Sequence, residues 1–402
     1  MKLRFLSAFF IVLCISACNS IFQVGLENST GTTATPASLN TVVPTVPAAA
    51  TLSPTNTPAP LATLRAGSAT PLLSSTPLAA ATDDVPPVAV PAATNYIDDR
   101  STPSQVIVSF YNAIDRQENA RAYGYYANPA TSLGSFTSFA SGYQNTLSVD
   151  LVFGPITGDP GMSQVYYTIP VILKATAKDS TRTNYAACYV VHETNPDVYG
   201  APPIFPMSIE RGSAVQSDPT ASDANVLAAA CSAYPAGGNP PFSASANSLN
   251  IDKSNFVDNR SGPVETVSSL LNALNLKQYV RAYSYYQDPT TYPGAYDSYA
   301  AGYANTDTIT VTFGTVQNEG AAGSTYYKVP LAEKVLTTGS TTQTFVGCYT
   351  LRLGQPANQT TPPFHPMGIT AGQFSQVANG SDVTALLATA CNRPDRNHIR
   401  EV

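Results

Sequence analysis

The sequence predicts an α+β protein that contains two tandem copies of one domain. A shift of 160 residues aligns positions 95–231 with positions 255–391 without a gap, and 44 of the 137 aligned residues are identical. Within each copy, apolar residues first recur every three or four positions and later alternate, so helices precede strands. A stretch rich in Pro, Thr and Ala lies before both copies, and that composition predicts a disordered tether.

Composition and motifs argue against several classes of function. Charged residues make up 11% of the 402 residues, and the net charge is -6. Nucleic-acid binding needs clustered basic residues, so no nucleic-acid partner is expected. The sequence contains no phosphate-binding loop, serine nucleophile elbow, zinc-protease motif or calcium-loop pattern. We therefore predict neither a cofactor nor a metal site, and we assign no catalytic residue.

The first eighteen residues have the pattern of an export signal. Lys2 and Arg4 precede an apolar stretch over residues 5–15, which is too short for a permanent membrane span. The segment Ile15-Ser16-Ala17-Cys18 resembles the lipobox of bacterial lipoproteins. That resemblance implies that Cys18 carries lipid and anchors the chain to the outer side of a bacterial membrane. An ordinary signal peptide with an incidental cysteine is the alternative.

Residues 19–94 are predicted to be the tether. Over these 76 positions there are 11 Pro, 14 Thr and 15 Ala, but only one aromatic residue, Phe22. Such a segment buries too little apolar surface to offset the entropy of ordering it. It serves as a bare spacer or, alternatively, as an O-glycosylated stalk.

The repeat sets the domain boundaries. We place the first domain at 95–233, a linker rich in Pro, Gly and Ser at 234–254, the second domain at 255–393 and a short tail at 394–402. The most similar segments are Asp98-Asp99-Arg100-Ser101, which recurs as Asp258-Asn259-Arg260-Ser261, and Arg-Ala-Tyr-x-Tyr-Tyr at 121–126 and 281–286.

Three helices are predicted at the start of each copy. Pro103 and Pro263 suit the first position of the first helix. The second helix carries the Arg-Ala-Tyr-x-Tyr-Tyr segment. The third is marked by aromatic residues at helical spacing, at 136, 139 and 143 and again at 296, 299 and 303. These aromatic stripes fit either core packing against a sheet or the lining of a ligand cavity.

Strands follow the helices. The first copy has β patterns at 147–153, 165–176, 183–192 and around 207–209, and the second copy repeats them. Pro170 and Pro330 fall inside the second strand of each copy, which predicts a bulge or an edge position there. A short helix closes each copy, at 225–231 and 384–391.

Four cysteines occupy equivalent places in the two copies. In an exported protein, this pattern predicts one disulfide per domain, between Cys188 and Cys231 and between Cys348 and Cys391. Each bond would attach the closing helix to a strand. A metal site is the weaker alternative, because no two cysteines are spaced as zinc ligands usually are.

With helices placed before a sheet, the Arg-Ala-Tyr-x-Tyr-Tyr and Gly-Tyr-x-Asn-Thr segments resemble the nuclear transport factor two-like, or SnoaL-like, cone fold. The resemblance covers both copies. It implies two tandem cone-fold domains, each with N-terminal helices on a curved antiparallel sheet. Proteins of this fold include ketosteroid isomerases, scytalone dehydratase and polyketide cyclases, as well as non-catalytic domains of bacterial surface proteins. Cone-fold domains often form dimers, so the two copies are expected to pack as a pseudo-dimer.

The duplicated tyrosines and arginines are the candidate ligand-pocket residues: Tyr123, Tyr126, Arg121, Tyr283, Tyr286 and Arg281. Each arginine could bind a carboxylate or stack on a ring, or it could be an ordinary surface residue. Asp98, Arg100 and their counterparts are expected to form ion pairs or helix caps.

Few ionisable residues are shared by the two copies, so the sequence favours a non-catalytic, lipid-anchored surface protein. Its expected partners are the membrane, through Cys18, and a cell-surface protein, a glycan or a small apolar ligand. The alternative is a small-molecule isomerase, dehydratase or hydrolase acting in one cone. In that case Tyr126 or Tyr286 would donate a proton, and Asp150 or Glu333 would act as the base.

Overall fold

The computed structural model describes residues 95–161, 163–232 and 256–392, which cover nearly all of both repeats. The predicted signal segment with Cys18, the tether, the linker at 234–254 and the tail at 394–402 lie outside the described residues. Both repeats belong to one compact unit of the chain.

Each repeat begins with helices, as the apolar spacing predicts. The helices of the first repeat are α1 (Pro103–Asp115), α2 (Asn119–Tyr123), α3 (Pro129–Ser132), α4 (Phe136–Tyr143) and α5 (Asp223–Ala230). Those of the second repeat are α6 (Pro263–Asn275), α7 (Tyr279–Tyr283), α8 (Tyr296–Gly302) and α9 (Val383–Leu387). Pro103 and Pro263 start α1 and α6, and the Thr102 hydroxyl caps α1 by accepting from the Gln105 amide at 3.2 Å.

Five antiparallel strands follow the helices in each repeat. The first sheet contains β1 (Thr146–Phe153), β2 (Thr157–Pro160), β3 (Gln164–Ala177), β4 (Arg182–Thr194) and β5 (Ser208–Gln216). The second contains β6 (Thr306–Phe313), β7 (Gln317–Ala321), β8 (Ser324–Thr337), β9 (Thr342–Gly354) and β10 (Gly368–Val377). The strand order is β1-β3-β4-β5 in one sheet and β6-β8-β9-β10 in the other, with β2 and β7 paired to β3 and β8.

Neither Pro170 nor Pro330 lies at an edge, but the pairing on one side of each is interrupted and its register shifts by one residue, so the expectation of a bulge or an edge is met in part. β3 lies inside its sheet, and its register with β4 runs through the Pro170–Cys188 pair without a shift. On the other side of β3, β2 pairs up to Thr168 and β1 pairs from Val171 onward. Pro170 therefore lies where one neighbouring strand replaces the other, so no ladder bond from its nitrogen is needed there.

The aromatic stripes pack in the core. Phe139 is buried against Phe110 and Tyr123, with ring centroids 6.4 and 5.4 Å away. In the second repeat, Tyr299 packs in the same way against Tyr283 at 5.3 Å. Core packing against a sheet, one of the two expectations, is confirmed for these residues.

The closing helix of each repeat covers the opposite face of the sheet. Val226 of α5 packs on Val152 and Ile172, and Leu387 of α9 packs on Ala332 and Val346. The predicted disulfides are confirmed: Cys188 is bonded to Cys231, and Cys348 is bonded to Cys391. Each bond closes a sequence separation of 43 residues, which stabilises the fold by about 4 kcal/mol in the chain-entropy model.

Candidate ligand-binding site between the repeats

The duplicated Asp-Asp/Asn-Arg-Ser segments join the two repeats. We call these segments, residues 98–101 and 258–261, the clasp. The Arg100 amide donates to the Asp258 carbonyl at 2.7 Å, and the Arg260 amide donates to the Asp98 carbonyl at 2.6 Å. The exchange is reciprocal, as in the isologous interface of a symmetric dimer.

Two serines complete the clasp. The Ser261 hydroxyl accepts a hydrogen bond from the Asp98 amide at 2.9 Å, and the Ser101 hydroxyl accepts one from the Asp258 amide at the same distance. Asp98 and Asp258 are 4% and 5% exposed, so these amides would find little water if the hydroxyls were removed.

Asp99 and Asn259 meet at the centre of the clasp. They form an antiparallel bridge, and the Asn259 side-chain amide donates to Oδ2 of Asp99 at 3.2 Å. Burial raises the pKa of Asp99 above its ordinary value, against hydrogen bonds from Ser101 that lower it. One Asp and one Asn at this point avoid placing two carboxylates against each other.

Each clasp arginine stacks on a buried tyrosine. The guanidinium carbon of Arg100 lies 4.3 Å from the Tyr125 ring centroid, and that of Arg260 lies 4.5 Å from the Tyr285 ring centroid. The predicted ion pairs with the clasp aspartates are present, with Arg Nε 3.9 Å from Asp Oδ1 in both repeats. The tyrosine hydroxyls donate to the same carboxylates, at 2.7 Å to Asp98 and 2.8 Å to Asp258.

Arg121 and Arg281 are not surface residues. Both are 2% exposed, and each stacks on an aromatic ring, that of Tyr96 or Phe256. Arg121 donates from Nε to Glu118 Oε2 at 2.6 Å, so it binds a carboxylate of its own repeat. Each arginine thus holds the segment before the first helix of its repeat, and the surface alternative is wrong.

A cavity of about 260 Å³ lies where the repeats meet. Its lining includes the clasp residues Asp98, Arg100, Asp258 and Arg260 together with Arg121 and Arg281. The aromatic part of the wall comes from Phe205, Phe256 and Phe364. Phe205 is 69% exposed and is the most exposed of the large apolar side chains in the described residues. Residues of both repeats are needed to form this cavity.

The six predicted pocket residues do not share one pocket. Arg121 and Arg281 line the cavity, but the hydroxyls of Tyr123 and Tyr283 donate to the backbone carbonyls of Gly134 and Gly294, at 2.7 and 2.6 Å. Tyr126 and Tyr286 lie in the two cores. Sequence reasoning missed Arg100 and Arg260 as pocket residues. The available signal was the duplication of their segment, which was interpreted as structural within a single repeat.

A second chemically unusual position lies inside the second repeat. Glu333 of β8 is 9% exposed, and its Oε1 is buried without a hydrogen-bond partner. Burial raises the pKa of this carboxyl to about 7. The carboxyl is close enough to four tyrosines to raise their pKa values, namely the buried Tyr286 and Tyr349 and the partly buried Tyr292 and Tyr303. The first repeat has Leu173 at the equivalent position.

Within the described ranges, no three His, Cys, Asp or Glu side chains are grouped so as to hold a metal ion. The same ranges contain no helix that is both long and apolar enough to cross a membrane. Comparisons of the chain with protein-family models, with curated proteins and with solved structures found no match.

Proposed function

We propose that this chain is an exported, lipid-anchored surface protein whose two cone-fold repeats pack as a pseudo-dimer and act as one non-catalytic binding module. The observation that carries the proposal is the cavity between the repeats, because it places charged and aromatic side chains of both repeats around one space.

The disulfides support the location. Both are formed, which indicates a non-cytoplasmic, oxidising compartment. The Ile15-Ser16-Ala17-Cys18 segment supports a lipid anchor on the outer side of a bacterial membrane. The arrangement of helices on an antiparallel sheet supports the cone fold, and the clasp supports a pseudo-dimer.

The test of the binding function uses a variant that fills the cavity. Gly124 lines the cavity in a helical conformation with φ −74°, and a Cβ added there would meet only two backbone oxygens, at 3.4 and 3.6 Å. Gly124→Trp therefore adds bulk to the cavity without backbone strain. Gly142 is exposed, and a Cβ there meets nothing within 4 Å, so Gly142→Trp is the matched control.

We expect ligand-observed NMR with a library of small organic molecules of mixed charge to identify compounds that bind the wild-type protein and the Gly142→Trp variant. The same compounds should not bind the Gly124→Trp variant. Compounds that bind all three proteins equally, or a library without a single binder, would overturn the proposal.

One observation favours a second candidate function. The buried Glu333 carboxyl, with a pKa of about 7 among tyrosine hydroxyls, has the properties of a general acid or base. It favours a small-molecule isomerase, dehydratase or hydrolase acting in the second repeat, with Tyr286 as the donor. Against this function, apolar and aromatic side chains fill the same face of the sheet.

Access to Glu333 separates the two functions. An enzyme site must admit small molecules, so a water-soluble carbodiimide with an amine would label Glu333 in the native protein, as detected by peptide mass spectrometry. A binding module with a closed second repeat leaves Glu333 unlabelled until the protein is unfolded, while the exposed Glu319 is labelled in both states.

A further inference from the structure

The two buried arginines at the cavity have similar hydrogen bonds but differ in charge compensation. Arg121 and Arg281 donate from Nη1 to a backbone carbonyl, of Ile97 or Val257, at 2.6 Å in both repeats. Their Nη2 atoms donate to equivalent asparagines at 2.7 and 2.8 Å. The geometry of the two sites is therefore nearly the same.

The difference lies at Nε. Arg121 donates to the Glu118 carboxylate at 2.6 Å, whereas Arg281 donates at the same distance to the neutral amide oxygen of Gln278. Within the described residues, Arg281 has no carboxylate within 4.0 Å. It is linked to Asp258 through the Tyr285 hydroxyl, which accepts from Arg281 Nη1 at 3.1 Å and donates to Asp258 at 2.8 Å. A buried guanidinium without a directly paired anion is unfavourable, and an anion brought to it is correspondingly favoured.

The charges around the cavity also favour a bound anion. Four arginines and three carboxylates line it, so the lining itself carries a surplus of one positive charge. Behind the lining, the Arg116–Glu118 pair adds one charge of each sign, and the exposed Asp197, which accepts from Gln278, adds a negative charge that water screens. A single bound monoanion would balance the charge of the lining, whereas a dianion would leave a negative excess.

Two of the carboxylates that line the cavity already accept hydrogen bonds from tyrosines. Asp98 already accepts from the hydroxyls of Tyr125 and Tyr96, at 2.7 and 3.1 Å. Glu193, another lining carboxylate, accepts from the Tyr167 hydroxyl at 3.2 Å.

The clasp arginines retain N–H groups, since a guanidinium has five. Arg100 donates to two backbone carbonyls, those of Met207 and Gly124, and Arg260 donates only from Nη2, to the carbonyl and hydroxyl oxygens of Ser284. In the described part of the chain, Nη1 of Arg260 has no acceptor. Planar carboxylates match the paired N–H groups of a guanidinium.

Much of the remaining wall is apolar, although Thr194 and Ser284 also line the cavity. Phe205, Phe256 and Phe364 contribute rings, and Pro206 and Pro366 contribute flat, non-donating surface. A volume of about 260 Å³ suits a molecule with a single ring or a short chain.

We infer that the cavity between the repeats binds a small organic monocarboxylate, with its carboxylate toward Arg260 and Arg281 and its apolar body against the phenylalanines. The inference rests on the proposed binding function and specifies the class of its ligand.

Benzoate and benzamide are the probes for the test, because they share a shape and differ in charge. The wild-type protein should bind benzoate at least about tenfold more tightly than benzamide, since hydrogen bonds to ionised groups are the stronger ones. Isothermal titration calorimetry at constant ionic strength measures both affinities.

The decisive variant moves one negative charge. Gln278 donates from its side chain to the exposed Asp197 at 2.9 Å. The double change Gln278→Glu with Asp197→Asn keeps the net charge and that hydrogen-bonded contact, and it gives Arg281 the carboxylate that Arg121 has. We expect benzoate affinity to fall about tenfold, with benzamide affinity unchanged. Asp197→Asn alone is the control and should change benzoate affinity by less than about threefold, because exposed charges are screened.

The outcomes separate the two levels of proposal. Equal affinities for benzoate and benzamide, or a double variant that binds benzoate as the wild type does, would overturn the carboxylate inference and leave the binding module intact. The carboxylate inference is also overturned if neither probe binds, while neutral library compounds bind the wild-type protein but not the Gly124→Trp variant. A library without any binder would overturn the binding module itself, and the carboxylate inference with it.

Discussion

At the scale of single residues, Glu333 shows how the second repeat departs from the first. The first repeat has Leu173 at this position of the sheet, buried to 5% exposure, and an apolar side chain there needs no partner. A carboxyl at the same place keeps its proton, because burial raises its pKa from 4.5 to about 7. The Glu333 carboxyl is thus neutral between about pH 4.5 and about pH 7, where the carboxyl of free glutamate is ionised.

This burial makes stability depend on pH. The folded protein holds the Glu333 proton up to about pH 7, whereas the unfolded chain releases it near 4.5. The free energy of unfolding therefore falls as pH rises from about 4.5 to about 7, and the loss is complete above that window.

Glu333→Gln should remove this dependence. At pH 8 we expect the variant to be more stable than the wild type by up to about 3 kcal/mol, and at pH 4 the two should be nearly equal. Chemical unfolding at several pH values measures the difference. Glu319→Gln, at an exposed residue of β7, is the control and should leave the pH profile unchanged. A Glu333→Gln profile parallel to that of the wild type would show that the carboxyl is ionised in the folded state.

At the scale of helices and strands, the sequence predicts what depends on local patterns. The starts of α1 and α6 follow from proline at the first helical position, and the disulfides follow from equivalent cysteines. Two short strands, β2 and β7, were not predicted. Their sequences contain residues typical of turns, Gly, Asp and Pro in Thr157–Pro160 and Asn and Gly in Gln317–Ala321, and the pairing with β3 and β8 decides their conformation.

Pro170 and Pro330 show that the neighbouring strands decide whether a proline is tolerated inside a strand. Proline inside a strand normally indicates an edge, because it lacks the N–H that a ladder needs. In this fold, the partner of β3 changes from β2 to β1 at Pro170, and the Pro170 carbonyl accepts from the Gly154 amide at 2.8 Å. Gly314 and Pro330 repeat the arrangement at 2.8 Å. The sequence shows that proline lacks a backbone N–H. Only the sheet topology shows that no hydrogen bond from that nitrogen is required.

At the scale of the whole molecule, the candidate site depends on how two copies meet, which no pattern within one copy reveals. The sequence predicts an ion pair or a helix cap for Asp98 and Arg100, and the ion pair is present within the repeat at 3.9 Å. The same segment also bonds across to the other repeat and lines the cavity. Of the predicted pocket residues, Arg121 and Arg281 could be found in advance because they are duplicated and lie among tyrosines. The phenylalanines of the wall could not, since Phe205 and Phe364 occupy different positions in the two repeats.

The clasp should make the two repeats unfold as one. Each repeat has its own core, so their cooperation depends on the contacts between them. Ser101→Ala with Ser261→Ala leaves two buried amides without acceptors, each at a cost of about 1–3 kcal/mol. We expect calorimetry to show one transition for the wild type and, for the double variant, a lower melting temperature with a transition that broadens or splits.

Ser138→Ala with Ser298→Ala is the matched control, because these serines are also equivalent in the two repeats but are exposed on α4 and α8. It should melt as the wild type does. If the clasp variant keeps one sharp transition at an unchanged temperature, the repeats are coupled by other contacts, and the cavity does not depend on the clasp for its shape. If it splits, benzoate should bind the variant more weakly than the wild type, because the arginines on the two sides of the cavity belong to repeats that no longer hold each other in place.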